Sequence, residues 1–206
     1  MPAMKNRSHG FTLMELMVTL AIAAIILGIA APSFSQFLRN NRLTSAANDL
    51  LTAIQNARTE AIKRQQSVSI CPTANPTAVE PTCAGGDFSS WIMFVDPNND
   101  CRRAVGGAET LLKAGGPAAN GVVSRANPLG VCISFAATGF LQPQAVTGQV
   151  TANRILYCDS RGLAPIAGTQ SAGRGIYVTN TGRSRVARET TGGGIDQIDT
   201  WGIACP

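Results

Sequence analysis

The chain has 206 residues and a formal net charge of +5, from 17 Lys and Arg against 12 Asp and Glu. Its single histidine, His9, lies in a short basic segment ahead of the first apolar run. Without that segment the chain has no imidazole, which is the commonest general base and a frequent metal ligand, and no carboxylate pair or Lys–Ser arrangement stands out. These observations argue against an enzyme, and they predict no catalytic residue, no cofactor and no metal.

An apolar run from Phe11 to Ala31 follows a basic leader, residues 1–10. About 20 apolar residues at 1.5 Å each cover the ~30 Å hydrocarbon core of a bilayer. Residues 11–31 are therefore predicted to span a membrane as a helix. The lysine and arginine of the leader keep the N-terminus in the cytoplasm, so everything after the run is exported.

The junction Gly10–Phe11 precedes the apolar run, whereas an ordinary secretory signal is cleaved after it. Glu15 lies inside the run, where an ionisable residue is a functional-site hypothesis by default. A plain, uncleaved signal anchor explains the leader and the span but leaves Glu15 unexplained. Gly, then Phe, then Glu at the fifth residue after the junction resembles the class III signal of type IV prepilins and pseudopilins. The resemblance implies cleavage by prepilin peptidase after Gly10, N-methylation of Phe11, and an assembly role for Glu15 toward the amine of a neighbouring pilin.

Helical periodicity continues beyond Pro32, which removes one hydrogen bond and is expected to kink or loosen the helix. From Phe34 to Ile62, apolar residues recur at spacings of three and four, with charged residues between them. One long helix over residues 11–66 is therefore predicted, membrane-spanning first and amphipathic afterwards. Two separate helices, broken at the proline, are the alternative.

From about Ser67 the pattern changes to short β-branched and aromatic runs separated by Gly, Pro, Asn and Ser, as in antiparallel strands joined by loops. The runs cover residues 68–71, 91–95, 131–135, 154–158 and 175–179. The Gly- and Ala-rich stretch Gly106–Asn127 is expected to be a flexible loop. Residues 67–206 suffice for one domain with its own core, so the predicted fold class is α+β, an N-terminal helix packed on an antiparallel β domain.

Six cysteines follow the apolar run, and an even number on the exported side indicates disulfides. Zinc needs closely paired ligands such as C-x-x-C, and no such pair occurs in the sequence. Six cysteines permit 15 pairings, so the sequence alone does not fix one. We favour a local clamp and two longer staples: Cys71–Cys83, Cys101–Cys132 and Cys158–Cys205.

The segment from Asp96 to Asp100 places oxygen ligands at alternate positions, as a calcium loop does. Cys101 stands where such a loop needs glycine, and no Glu follows at the required distance. A polar turn after a strand is therefore the favoured interpretation.

The segment from Ser160 to Arg188 contains five arginines and no Asp, Glu or Lys. Its arginines are Arg161, Arg174, Arg183, Arg185 and Arg188. In a strand, Arg183 and Arg185 lie on one face about 6.6 Å apart, whereas Arg188 has the opposite parity. Guanidinium forks suit phosphate oxygens, and such contacts hold DNA without reading its sequence. The alternative is a solvated edge strand whose charges keep it unpaired and soluble.

Several segments of the exported part resemble the FimT/FimU minor pilins of the wider GspH-like pseudopilin family. They are Cys71-Pro72 after the helix, Trp91–Asp96, Leu156–Gly162, Thr181–Arg185 and the terminal Cys205-Pro206. The resemblance implies a β domain of two sheets on the helix and a minor type IV pilin with other minor and major pilins as partners. It also implies a single-pass protein of the inner membrane, with a periplasmic domain that becomes extracellular in the assembled pilus.

FimT-like pilins carry a Gly-Arg-x-Arg motif that binds DNA in natural transformation, and Gly182-Arg183-Ser184-Arg185 matches it. The resemblance thus implies non-specific binding of double-stranded DNA by Gly182, Arg183 and Arg185, with Arg174 and Arg188 supporting. Two alternatives stay open. One is a FimU-like structural subunit of the pilus-tip initiation complex that does not bind DNA, and the other is a type II secretion pseudopilin.

Overall fold

The computed structural model describes residues 10–84, 87–107, 109–127, 132–142, 153–167, 170–189 and 198–205. Within these residues the chain forms one long helix, α1 (Leu13–Arg64), nine strands, and a short 3-10 helix, η1 (Ile198–Trp201). It divides into two compact units, Met1–Arg39 and Asn40–Pro206, which are described in turn.

The first unit holds the beginning of α1. Thr12 precedes the helix and its Oγ1 accepts a hydrogen bond from the Glu15 backbone N at 3.2 Å, which is half of a capping box. Pro32 lies inside the helix, so the alternative of two helices broken at the proline is wrong. Among the described residues, α1 alone is long and apolar enough to cross a membrane, with a mean hydropathy of 2.4 over its most apolar window.

The second unit contains two antiparallel sheets. The four-stranded sheet has the order β3-β2-β1-β5, and the five-stranded sheet has the order β4-β6-β8-β7 with β9 also paired to β8. The strands of the first are β1 (Val68–Pro72), β2 (Trp91–Val95), β3 (Leu111–Gly115) and β5 (Ile133–Phe135). Those of the second are β4 (Val123–Asn127), β6 (Arg154–Cys158), β7 (Pro165–Ala167), β8 (Gln170–Val178) and β9 (Ser184–Glu189).

Both sheets share one core with the second half of α1. The helix buries an apolar stripe at spacings of three and four against side chains of β1, β5, β6 and β8. The stripe consists of Leu43, Ala47, Leu50, Ala53, Ile54, Ala57 and Ala61. Because these residues complete the core, the compact unit begins at Asn40. The predicted division at residues 66/67 therefore marks a change of secondary structure within that unit. The α+β fold with two antiparallel sheets is confirmed.

Three disulfides fasten the second unit, and their pairing is the one favoured from the sequence: Cys71–Cys83, Cys101–Cys132 and Cys158–Cys205. The last of them ties the C-terminal segment to β6, where Trp201 and Ile198 pack with Leu156 and Ala187 in a second small core. A Cβ on Gly175 would lie 2.6 Å from the Trp201 ring, so the absence of a side chain there lets η1 lie flat on β8.

One expectation from the sequence is wrong. The stretch Gly106–Asn127 is not a loop throughout, because it contains β3 and β4. Each lies at the end of its sheet, paired on one side only, and β3 is half-exposed. Such strands are held by backbone hydrogen bonds to a single neighbouring strand and bury little side-chain surface. Their sequences therefore alternate only weakly between apolar and polar residues, and the pattern did not predict them.

Candidate nucleic-acid interface

The matching Gly-Arg-x-Arg segment begins in the turn between β8 and β9 and ends in the first two residues of β9. The Gly182 backbone N donates to the Thr179 carbonyl at 2.8 Å, and the Thr179 N donates to the Arg183 carbonyl at 2.8 Å. The Arg183 N in turn donates to Thr179 Oγ1 at 3.0 Å. Gly182 has a φ of +77°, which favours glycine. The turn is therefore closely hydrogen-bonded and holds Arg183 immediately ahead of β9.

A second turn packs against this one. A Cβ on Gly182 would lie 2.2 Å from the Gly139 carbonyl oxygen and 3.1 Å from Arg58 Nε. The Leu141 N donates to the Asn180 carbonyl at 3.0 Å, which joins the two turns directly. Arg58 belongs to α1, so the helix and both turns meet at this point.

Arg183 and Arg185 are both exposed. Arg183 takes part in no ion pair with another of the described residues, and Arg185 lies opposite Tyr177 in the β8–β9 ladder. Arg185 lies in β9 and Arg183 directly precedes that strand, so the shared face that strand parity predicts for them stays a prediction.

Arg154 is a cation that sequence reasoning did not select for this face. Tyr177 is opposed by Arg185 on one side and by Arg154 of β6 on the other. Opposed residues share a face, and the Arg154 guanidinium carbon lies 5.8 Å from the centre of the Tyr177 ring. At one strand spacing per step, Arg154 and Arg185 are about 10 Å apart across the tyrosine.

Arg174 does not lie on this face, so the role predicted for it in DNA binding is wrong. Its side chain is only 3% exposed. Its Nη1 donates to the carbonyls of Ser171, Ala172 and Gly173 at 3.3, 2.7 and 3.0 Å, and its Nε donates to Thr44 Oγ1 of α1 at 3.3 Å. The guanidinium is therefore used inside the protein, where it joins β8 to the helix.

Arg188 has the opposite parity to Arg185 and is half-buried. Its Nε is buried without a hydrogen-bond partner among the described residues. Burial, together with the positive charges of Arg188 and Arg161, lowers the pKa of Arg174 from its ordinary value to about 10, so Arg174 stays protonated at neutral pH. Arg161 is held by Asp159, with Nη2 at 2.6 Å from Oδ2. Of the five arginines, Arg183 and Arg185 are the exposed pair.

The Asp96–Asp100 segment forms a hydrogen-bonded turn. Asp96 is buried, and its carboxylate accepts from Ser69 Oγ at 2.6 Å and from the backbone N of Asp100 and Cys101 at 3.1 Å each. Burial raises the pKa of Asp96. Burial and the charges of Asp100 and Asp96 likewise raise the pKa of Glu109. This arrangement is typical of a polar turn after a strand.

Comparisons with known proteins define the class. Residues 5–31 match the family model of the prokaryotic N-terminal methylation motif, which includes Gly10, Phe11 and Glu15. That motif ahead of a disulfide-linked β domain is the organisation of a pilin-like protein. Residues 46–185 match the family described as Type II transport protein GspH. The chain belongs to that family, a non-enzymatic one, and the predicted resemblance to its minor pilins is confirmed.

Single relatives match this chain over shorter stretches or at low sequence identity. The chain is 37% identical over 96 residues to the pilin-like protein PilA1 of Thermus thermophilus, which covers 46% of this chain and 52% of that protein. It is 29% identical over 119 residues to a fimbrial protein of Pseudomonas aeruginosa, covering 55% and 75%. The match thus spans about half the length of the Thermus relative. A crystal structure of the P. aeruginosa type IV minor pilin FimU aligns with a TM-score of 0.47 and 19% identity, over 75% of this chain and 95% of that one.

Proposed function

We propose that this pilin binds double-stranded DNA without sequence specificity through Gly182-Arg183-Ser184-Arg185, and that it captures DNA for uptake in natural transformation. The observation that carries this function is the exposure of Arg183 and Arg185, two residues apart in the chain, at a turn that hydrogen bonds hold in place. Guanidinium groups bind phosphate oxygens through paired donors, so a short, rigidly held pair is suited to a phosphate backbone.

Arg154 replaces the buried Arg174 as a supporting cation beside Arg188; Arg154 and Arg188 are both half-buried, each with a buried Nε that has no hydrogen-bond partner among the described residues. Arg154 shares a cross-strand row with Tyr177 and Arg185, so it extends the positive face by about 10 Å. With Arg154, Arg183 and Arg185 each contacting one phosphate, the logarithm of the affinity falls with a slope of about −2.7 against the logarithm of salt concentration. Binding by one copy is expected to be weak and to gain strength when several copies engage the same duplex.

The test uses the full chain in zwitterionic detergent micelles and a fluorescently labelled duplex, with anisotropy measured at about 50 mM and about 200 mM salt. Wild type is expected to bind at the lower concentration and weaken steeply at the higher one. Arg183→Gln/Arg185→Gln should abolish binding while retaining the fold. The control Lys63→Gln/Arg64→Gln removes two charges from α1, where both side chains pair with Glu60, and should bind like wild type. Equal affinity of the two double variants would contradict the assignment.

The N-terminal segment supports a path to the pilus. We expect prepilin peptidase to cleave after Gly10, the new N-terminus at Phe11 to be methylated, and Glu15 to pair with the amine of a neighbouring minor or major pilin. The apolar helix would anchor the chain in the inner membrane with a periplasmic second unit, extracellular after assembly. Mass spectrometry of the membrane-extracted protein should show a methylated Phe11 terminus. Glu15→Gln keeps the side chain's shape and should be processed but not incorporated into pili.

The second candidate is a purely structural subunit, either at the pilus tip or as a type II secretion pseudopilin. The family model that matches residues 46–185 carries the description Type II transport protein GspH, and this description favours a secretion pseudopilin. A structural subunit predicts that wild type binds no duplex even at low salt, and that Arg183→Gln/Arg185→Gln restores pilus assembly or secretion in a deletion strain as well as wild type does.

A further inference from the structure

An exposed aromatic ring lies next to the arginine turn. Phe140 is 52% exposed, and its carbonyl accepts from the Ala136 N at 3.0 Å, which closes the turn that contains Gly139. That turn contacts the Gly182 turn through the Gly139 carbonyl. Phe140 follows Gly139 in the chain and Arg183 follows Gly182, and the backbones of these two glycines are in contact.

An arginine of α1 packs against both turns. Arg58 runs beneath both turns, with Nε 3.3 Å from a Cβ built on Gly139 and 3.1 Å from one built on Gly182. This Nε is buried and has no hydrogen-bond partner among the described residues. Ile62, 43% exposed, is the apolar neighbour under Gly139. An exposed flat ring on one turn, with Arg183 on the turn that it contacts, suits an anionic partner that itself carries flat apolar faces.

Nucleic acid with unpaired bases is such a partner. Proteins that hold single strands combine cations along the backbone with aromatic side chains on which bases stack. In a duplex the base faces are already stacked on one another, so an exposed phenylalanine has no base to contact there.

We propose that Phe140 stacks on an unpaired base while Arg183 holds an adjoining phosphate, so that the site prefers single-stranded or frayed DNA ends over continuous duplex. Base stacking at Phe140 rests on the DNA binding proposed above. Arg58 acts as a positioning residue, because its side chain packs against the Gly139 turn that carries Phe140 and the Gly182 turn that carries Arg183.

The test compares a labelled single strand with a duplex of the same length, using the full chain in micelles. Wild type should bind the single strand more tightly. Phe140→Ala should weaken single-strand binding by roughly fivefold to a hundredfold, the range measured for one base–aromatic stack, and change duplex binding by less than about twofold. Phe140→Trp should bind, with its indole emission quenched by single strand. Val79→Ala, at a fully exposed apolar site on another loop, is the matched control and should bind like wild type.

Phe140→Leu separates stacking from general apolar contact, since it keeps the bulk but removes the flat ring. Single-strand affinity equal to that of wild type in Phe140→Leu would overturn the inference, as would equal weakening of single strand and duplex in Phe140→Ala. If wild type binds duplex and Phe140→Ala matches it on both ligands, the inference fails and the proposed function stands. If wild type binds neither ligand at low salt, the proposed function fails and the inference fails with it. Thermal melting of each variant verifies that it is folded.

Discussion

The Gly182 Cα approaches the Gly139 carbonyl oxygen so closely that a Cβ on Gly182 would lie 2.2 Å from that oxygen. Real Cβ atoms do not come so near, so a side chain at position 182 would push the two turns apart. Both glycines also have positive φ, +77° and +78°. The structure therefore requires glycine at position 182 whether or not a ligand binds, because a side chain there would separate the two turns and displace Arg183.

Gly182→Ala leaves the charge of the protein unchanged, and it is expected to destabilise the fold and to weaken DNA binding. The left-handed backbone alone costs about 1–2 kcal/mol with a Cβ present, and separating two backbones adds to that. Gly121→Ala is the matched control, because Gly121 has a φ of +83° but no atom within 4 Å of its added Cβ. Thermal melting should show the larger loss for Gly182→Ala, and similar losses in both variants would mean that the two turns separate freely.

Arg154→Gln is expected to weaken duplex binding and to reduce the salt slope by about 0.9, the share of one phosphate contact. The reason is its place in the cross-strand row with Tyr177 and Arg185, on the face that carries the exposed Arg185. Anisotropy titrations over a series of salt concentrations measure both quantities. Arg64→Gln, whose arginine pairs with Glu60 at 2.6 Å, serves as the control with the same charge change. An unchanged slope for Arg154→Gln would remove Arg154 from the site.

Arg174→Gln is expected to change duplex affinity by less than about twofold, although Arg174 lies in the same arginine-rich segment. At 3% exposure its guanidinium is not accessible to a ligand. Its removal leaves buried carbonyls without donors, at a cost of about 1–3 kcal/mol. Denaturant unfolding should therefore show a clear loss of stability, while anisotropy of the folded variant stays near wild type. A folded Arg174→Gln protein that no longer binds DNA would show that the buried cation contributes to the site.

The difference between Arg154 and Arg174 shows what a sequence can predict here. Strand parity predicts Arg185 and Arg188 on opposite faces of β9, because parity depends only on residues adjacent in the chain. Arg154 was missed because its place beside Tyr177 depends on how β6 and β8 align. Arg174 was misassigned because its partner Thr44 is 130 residues away. Local periodicity predicted the helix, the apolar core strands and the polar turn at Asp96, whereas edge strands and long-range contacts required the structure.

Glu109→Gln is expected to raise the melting temperature at neutral pH and to leave it nearly unchanged in acid. Burial, followed by the charges of Asp100 and Asp96, raises the pKa of Glu109 above its ordinary value of 4.5. A carboxyl with a raised pKa in the folded state contributes its stability below the unfolded pKa and loses it as pH rises through the folded pKa. Glutamine does not titrate, so the variant avoids that loss.

The advantage of Glu109→Gln over wild type should therefore appear as pH rises above about 4.5 and be complete by neutral pH. Melting curves at several pH values measure it. Glu80→Gln is the comparison, because the Glu80 carboxylate accepts a hydrogen bond from the Gly106 N at 3.0 Å and its replacement weakens a favourable contact. If Glu109→Gln melts lower than wild type at neutral pH, the carboxylate stabilises the loop through its contact with the Ala104 backbone more than its repulsion from Asp96 and Asp100 destabilises it.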